Sequence, residues 1–259
     1  MFLFTDSPFF IFYLEEIVFI KKTIDKSLKT FINNYSPNIC YFFSHNCSIS
    51  RKTIFELLSY HGITANFNNI ITPTYLLLKY CKDLYKNFSI YPITNSLDFN
   101  DFFSLNIPIK HINPSLILIS TTNITTENLD FIRNYKIPIV ISSNLCVYNR
   151  SLNCNNCFKA CNLREIATTH RDRLIMPDRS PIYNSALLFK QLNISPKHTI
   201  LFTDILRDDY MQYQRMGCTL ILTLNNRTTL DDYLKSPNDA DLVISDFEKL
   251  SYFLKLRKD

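Results

Sequence analysis

Residues 199–209 read Thr-Ile-Leu-Phe-Thr-Asp-Ile-Leu-Arg-Asp-Asp, and this segment is the most informative one for the fold class. A short apolar run of the kind found in buried strands leads to Asp204, and a second acidic pair then opens a helix. Ligands of parallel α/β sheets bind at the carboxyl ends of the strands, so Asp204 is predicted to lie there and hold a cation, with Asp209 nearby. The alternative is structural: Asp204 caps a turn, while Asp208 and Asp209 stabilise the helix N-terminus.

Similar apolar runs recur along the chain and alternate with segments of helical length. Strands are predicted at 9–14, 39–43, 116–119, 137–141, 199–202, 219–222 and 242–244. Helices are predicted at 24–33, 50–61, 75–86, 126–134, 182–192 and 208–216. Such alternation predicts an α/β protein with mainly parallel sheets. Gly62 and Gly217 each follow a predicted helix, where a left-handed C-terminal cap requires glycine.

The composition of the 259 residues is that of an ordinary globular protein, with 46% hydrophobic and 20% charged residues. Only two glycines are present, where average usage of about 7% would give roughly eighteen. No glycine-rich phosphate loop and no nucleophile elbow of the GxSxG type can therefore be written in this sequence. The net charge of +5 permits binding to polyanions but does not indicate it, because 28 basic residues are mixed with 23 acidic ones.

Targeting signals are not predicted at the start of the chain. The apolar opening is interrupted by Glu15 and Glu16 and preceded by Asp6, unlike a signal peptide or a membrane span. Together with eight cysteines, which are then expected to be reduced thiols, this predicts a cytoplasmic protein without a membrane partner.

Three of the cysteines, Cys154, Cys157 and Cys161, form a cluster in a polar middle segment, 148–173, that is predicted to be a loop or a short helix. This spacing supplies up to three zinc ligands, with His170 or Cys146 as a fourth. The alternative is a group of plain thiols, and the sequence assigns no metal there.

A second group of polar residues follows the buried strand at 39–43. Ser44 and Asn46 offer a hydroxyl and an amide at the strand end, which suits a phosphate oxygen. The alternative is that both side chains make turn and cap contacts.

The order of these elements resembles the haloacid dehalogenase-like superfamily, in particular its class IIA branch of the p-nitrophenyl phosphatase and phosphoglycolate phosphatase type. The family's second motif resembles residues 43–46, its Gly-Lys-Pro-x-Pro segment resembles 177–181, and its fourth motif resembles 203–209. The resemblance implies an α/β Rossmann-like core with a parallel sheet, formed by residues 1–74 and 176–259. It also implies an inserted C2-type α/β cap domain at 75–175.

The resemblance fails where the family's chemistry begins. Family members use an Asp nucleophile on phosphorus, a second Asp as acid and base, and Mg²⁺ between carboxylates and phosphate. The Asp-x-Asp-Gly motif that carries both acids is matched here by Tyr-Leu-Glu-Glu, which places Tyr13 at the nucleophile position and Glu15 at the acid/base position. Asp178 occupies the position of the phosphate-binding Lys, with Arg179 beside it.

The resemblance further implies that Ser44 and Asn46 occupy substrate-binding positions and that Asp204 and Asp209 are the remnant of a Mg²⁺ site. If the family assignment is right, Tyr13, Ser44, Asp178 and Asp204 must meet at the carboxyl ends of adjacent core strands.

Three functions are compatible with these features. The leading hypothesis is a catalytically inactive pseudophosphatase that binds or regulates a protein or ribonucleoprotein partner or a small anionic ligand, and that needs no cofactor. The alternative is a divergent Mg²⁺-dependent phosphatase of small phosphorylated metabolites that uses Glu15. A further alternative, based on the net charge, is an accessory protein bound to RNA or ribonucleoprotein.

Overall fold

The computed structural model of the chain describes residues 8–18, 24–47, 49–94, 100–121, 124–142, 162–175, 185–206, 208–224 and 228–253. Contacts divide the chain into two compact units. The first unit comprises residues 1–44, 53–71 and 192–259, and the second comprises 45–52 and 72–191. The domain ranges 1–74, 75–175 and 176–259 stay a prediction.

Ten strands and ten α-helices lie in the described ranges. The strands are β1 Phe9–Tyr13, β2 Cys40–Phe43, β3 Ile70–Ile71, β4 Ile90–Ile93, β5 Leu116–Ile119, β6 Ile139–Ile141, β7 Leu174–Ile175, β8 Thr199–Thr203, β9 Thr219–Thr223 and β10 Leu242–Ile244. The helices are α1 Lys26–Asn33, α2 Arg51–Tyr60, α3 Pro73–Leu84, α4 Asn100–Ser104, α5 Thr126–Asn134, α6 Asn162–Thr169, α7 Ser185–Leu192, α8 Asp208–Arg215, α9 Leu230–Leu234 and α10 Phe247–Phe253.

Each unit contains one parallel sheet. The first sheet has the order β10-β9-β8-β1-β2-β3, and the second has the order β4-β5-β6-β7. Every registered strand pair is parallel. The predicted α/β class with parallel sheets is therefore confirmed.

Aromatic side chains fill the core of the first unit around the central strand β1. Phe12 stacks on Phe202 of β8 with ring centroids 4.8 Å apart and on Phe42 of β2 at 5.8 Å. Phe31 of α1 packs edge-on against Phe12 and Phe202. Aromatic pairs in these geometries add stability beyond the apolar area that they bury, so they anchor the three central strands to one another.

A buried ion pair lies within the second unit. Arg51 donates from Nη1 to Oδ1 of Asp101 at 3.1 Å, and its guanidinium lies 3.6 Å from the ring centroid of Tyr75. Arg51 is among the largest fully buried side chains of the described residues. A buried guanidinium is stable only with such partners, so this contact is expected to matter to the stability of the unit.

Local capping decides where several elements begin and end. Helix α3 begins at Pro73 instead of the predicted residue 75, because Thr72 accepts a hydrogen bond from the Tyr75 backbone N–H and Pro73 fits the first turn. Both glycines have the predicted left-handed backbone, with φ of 73° at Gly62 and 101° at Gly217.

The sequence analysis missed several short elements. Strands β3 and β7 have two residues each, which is too short for a periodic signal, and Pro92 concealed β4. In the segment 148–173, predicted to be a loop or a short helix, the structure has the short helix α6, Asn162–Thr169. Cys146, Cys154, Cys157 and Cys161 lie outside the described residues. Among the described helices, none has the length and apolar character needed to cross a membrane.

Buried cysteines in the described ranges are expected to resist thiol reagents. Burial raises the pKa of Cys40 and of Cys81 to about 12 and also raises that of Cys218, so little thiolate is present at pH 8. We expect Ellman's reagent to label these three thiols in the native protein at least about a hundredfold more slowly than in urea, as measured by peptide mass spectrometry. Labelling of Cys81 at the unfolded rate in native buffer would contradict this expectation.

Candidate functional site

Three of the predicted site residues lie at one edge of the first sheet. Tyr13 is the last residue of β1, and it is in register with Phe43, the last residue of β2. Ser44 follows β2 directly, and Asp204 follows β8, which pairs with the other side of β1. Because all three strands are parallel, these residues meet at their carboxyl ends, as predicted.

Tyr13 is fully buried at this edge. Its hydroxyl donates to the hydroxyl of Tyr213 on α8 at 3.2 Å. The ring packs edge-on against Phe43, with centroids 5.6 Å apart, and lies 5.0 Å from the ring of Tyr210. The side chain at the nucleophile position is thus a neutral phenol enclosed by aromatic rings.

A π-helical turn, Leu14–Val18, follows β1 where the sequence analysis extended the strand to residue 14. The turn directs Glu16 into the interior, where its side chain is 1% exposed. Tyr210 donates its hydroxyl to Oε1 of Glu16 at 2.6 Å, and Thr203 donates from Oγ1 to Oε2 at 2.9 Å. Both oxygens of this carboxylate therefore accept hydrogen bonds from within the first unit.

Glu15 is half-buried and accepts a hydrogen bond from the hydroxyl of Ser44. Ser44 is itself buried, and its backbone N–H donates to the carbonyl of Ile71 in β3 at 3.0 Å. The Ser44 hydroxyl that the sequence offered to a phosphate oxygen is thus hydrogen-bonded within the protein, as is the Ser44 backbone N–H.

The remaining candidate residues have different positions. Asp204 is fully buried, and its backbone carbonyl accepts a hydrogen bond from the Thr228 hydroxyl. Asn46 is exposed and belongs to the second unit. Asp209 lies in the first turn of α8, and its side chain is outside what the structure describes. Asp178 and Arg179 lie outside the described residues.

The side chains of Tyr13 and Glu16 do not form a Mg²⁺ site at the strand edge. Mg²⁺ requires carboxylate and other oxygen ligands in a near-octahedral arrangement. The Tyr13 hydroxyl is bonded to Tyr213, and both Glu16 oxygens accept hydrogen bonds from neighbouring hydroxyls. Within the described residues, no three His, Cys, Asp or Glu side chains are grouped to hold a metal ion.

Sequence reasoning missed Tyr210, Tyr213 and Thr203 as members of this site. Tyr210 and Tyr213 are three residues apart on α8, so they lie on one helix face, and both are fully buried. Their i, i+3 spacing just after the acidic pair was a usable signal for aromatic side chains facing the strand ends.

The candidate zinc ligand His170 lies at the end of α6 in the second unit. Arg173 Nη1 lies 3.5 Å from its Nδ1. Burial and the neighbouring Arg173 guanidinium lower the pKa of His170. The cysteines that would share a metal with His170 lie outside the described residues, so the zinc alternative stays a prediction.

Solved structures with the same architecture exist. The 4-nitrophenylphosphatase of Thermotoga maritima superposes with a TM-score of 0.71 at 15% identity, over 95% of this chain and 96% of that chain. A double mutant of the thermostable NPPase from Geobacillus stearothermophilus gives 0.68 at 15%, over 94% and 98%. NagD from E. coli K-12 gives 0.66 at 13%, over 93% and 96%. No family model matches the sequence, and no curated protein matches it.

Proposed function

Since the chain has the haloacid dehalogenase-like fold of the class IIA type, we propose that it is a catalytically inactive pseudophosphatase that acts as a binding or regulatory protein. The proteins that share this fold include a 4-nitrophenylphosphatase. Hydrolysis of phosphate monoesters is therefore the activity that we propose this chain lacks.

The proposal rests on the chemical nature and the hydrogen bond of the Tyr13 side chain at the end of β1. A covalent phosphoryl-enzyme route needs a carboxylate at the end of β1. Tyr13 supplies a phenol instead, and its hydroxyl donates a hydrogen bond to Tyr213 inside an aromatic cluster. A protonated and enclosed phenol is a poor nucleophile toward phosphorus.

Two neighbouring contacts support the same conclusion. Phosphoryl transfer depends on positive charge and hydrogen-bond donors directed at the phosphate. Here Glu16 adds a buried carboxylate to the turn after β1, and the Ser44 hydroxyl donates to Glu15. The strand edge is therefore acidic, and its hydroxyl donors serve the protein instead of a ligand.

General acid–base assistance from Glu15 does not replace the missing nucleophile. Such assistance contributes typically about 10²- to 10⁴-fold, whereas hydrolysis of phosphate monoesters requires accelerations up to about 10²¹-fold. A site limited to Glu15 is therefore far too weak for a phosphatase. A binding role for the retained fold follows, with a protein, a ribonucleoprotein or a small anionic ligand as the partner.

We expect the purified protein to hydrolyse p-nitrophenyl phosphate no faster than buffer, with Mg²⁺ or with EDTA, because Tyr13 removes the first chemical step. The assay measures nitrophenolate release, with the Thermotoga maritima 4-nitrophenylphosphatase as the positive control.

Asp204→Asn and the exposed Asp130→Asn are assayed in parallel as matched variants. Turnover in the wild type that requires Mg²⁺ and is lost in Asp204→Asn but not in Asp130→Asn would overturn the proposal and favour a divergent Mg²⁺-dependent phosphatase. Affinity purification from the native cell then addresses the binding role, since a regulatory protein is expected to copurify with a stoichiometric partner.

A further inference from the structure

A cavity of about 390 Å³ opens at the amino-terminal edge of the second sheet, entirely within the second unit. Ser89 and Ser115, which immediately precede β4 and β5, line it at the sheet. Small-molecule sites usually have volumes of roughly 300–1,000 Å³, so this cavity has the size of a ligand site.

Three lysines line this cavity: Lys82 of α3, Lys86 just beyond it, and Lys110 of the segment between α4 and β5. Among the described residues that line it there is no Asp or Glu. We call this cavity the lysine pocket. Three lysines that line one concavity give its lining a net positive charge, which attracts anions.

The walls of the lysine pocket are held in place by the fold. The backbone N–H of Ile90 donates to the carbonyl of Pro108, and the N–H of Lys110 donates to the carbonyl of Ile90, both at 2.9 Å. Asn106 ends α4 in a left-handed conformation with φ of 53°, and the next residue, Ile107, returns to the core. The segment that carries Lys110 is thus tied to β4 on the opposite wall, and the pocket is preformed.

Hydroxyl and apolar groups complete the lining. The backbone N–H groups of Ser89 and Ser115 each donate to the other's Oγ at 3.3 Å, and the two hydroxyl oxygens lie 3.4 Å apart within hydrogen-bond distance of each other. One hydroxyl of the pair therefore donates to the other, and the second can donate to a ligand. Phe88 and Pro108 supply apolar surface next to the lysines. Cations, hydroxyl donors and apolar surface together suit a ligand with an anionic group and a small organic body.

We propose that the lysine pocket binds a small organic phosphate, at a site separate from the strand edge that contains Tyr13. The limited size of this open cavity favours a compact ligand over a nucleic-acid strand, because a strand needs an extended basic groove with stacking platforms. The proposal does not depend on whether the strand edge is catalytically active.

Inorganic pyrophosphate is the probe, titrated into the full-length protein at low salt by isothermal calorimetry. We expect saturable binding in the wild type. The triple variant Lys82→Gln/Lys86→Gln/Lys110→Gln is expected to lose at least about tenfold in affinity, since each contact between an ammonium and a phosphate adds favourable Coulomb energy.

The matched control is Lys136→Gln/Lys190→Gln/Lys249→Gln, which removes the same charge from exposed lysines that do not line the pocket. We expect its affinity to stay within about twofold of the wild type, because distant surface charges are screened. Equal losses of affinity in the two triple variants would mean that pyrophosphate is attracted only by the overall charge of the protein, and would overturn the proposal. The proposal is also overturned if the wild type does not bind pyrophosphate at millimolar concentration. A single-stranded RNA oligonucleotide is titrated in the same way. Binding of this oligonucleotide by the wild type together with no binding of pyrophosphate would favour a nucleic-acid partner and overturn the proposal.

Discussion

Replacing Asp101 with alanine is expected to lower the free energy of unfolding by about 3 kcal/mol, because it removes a carboxylate partner from a buried arginine. Asp101 Oδ1 lies 3.1 Å from Nη1 of Arg51, and the two side chains are 12% and 2% exposed. The Tyr75 ring above the guanidinium attracts the charge but cannot replace the anion. Urea unfolding of the full chain, followed by circular dichroism, measures the change.

A matched ion pair at the surface of the same unit provides the control. Asp130 and Arg133 are joined at 3.3 Å, but their side chains are 60% and 51% exposed. Asp130→Ala is therefore expected to leave the unfolding midpoint nearly unchanged, since the exposed Arg133 guanidinium is solvated by water and keeps Glu165 Oε1 at 2.7 Å. Equal midpoints for Asp101→Ala and Asp130→Ala would show that burial does not govern the Arg51 pair.

A double replacement distinguishes two causes of the destabilisation in Asp101→Ala. One is the lost attraction between the two charges, and the other is the burial of the Arg51 charge without the Asp101 carboxylate. In Arg51→Met/Asp101→Leu neither charge remains in the interior, so we expect it to be more stable than Asp101→Ala although it carries two changes. A double variant less stable than the single one would instead mean that the shape of the pair, and not its charge, holds this part of the unit together.

Replacing Glu16 with alanine is expected to cost about 3 kcal/mol, because the buried Tyr210 hydroxyl loses its acceptor oxygen, Thr203 keeps only the Ile205 carbonyl at 2.7 Å, and a cavity remains. The hydroxyl donors to Glu16 are Tyr210, at 2.6 Å from Oε1, and Thr203, at 2.9 Å from Oε2. The loss is measured by urea unfolding, with Glu16→Gln as the variant that keeps one acceptor oxygen and nearly the same volume. A loss as large in Glu16→Gln as in Glu16→Ala would count against the hydrogen-bonding explanation.

A double-mutant cycle identifies the partner of Glu16. Tyr210→Phe is expected to be destabilising in the wild type but nearly neutral in Glu16→Ala, with a coupling of about 1–2 kcal/mol. Tyr213→Phe is the control, because the Tyr213 hydroxyl accepts a hydrogen bond from Tyr13, and its cost is expected to be the same in both backgrounds. Coupling of equal size for both tyrosines would contradict a specific bond between Glu16 and Tyr210.

The identity of the residues at the strand edge was predictable from the sequence because of a geometric rule. In a parallel sheet every carboxyl end lies at the same edge, and the family resemblance made these strands neighbours, so Tyr13, Ser44, Asp178 and Asp204 were expected to approach one another. Asp178 lies outside the described residues. The roles of these residues in binding or chemistry stay predictions.

The fate of each side chain at that edge was not predictable. The bond from Tyr13 to Tyr213 joins residues 200 positions apart, and local pattern carries no information about it. Glu16 follows β1 in a π-helical turn that directs its carboxylate inward to Tyr210, and the sequence analysis gave it no partner. Burial of a carboxylate depends on donors that arrive from another part of the chain.

Three features could be predicted from the residues alone: the alternation of strands and helices, the parallel class of the sheets, and the left-handed backbone at Gly62 and Gly217. They were predictable because they follow from local periodicity and backbone sterics. The burial of Arg51 against Asp101 became apparent only when the packed chain was described. The same is true of the cavity that Lys82, Lys86 and Lys110 line. Burial and clustering of charge arise when distant segments pack together, and no pattern within a single segment encodes which charges will then be neighbours.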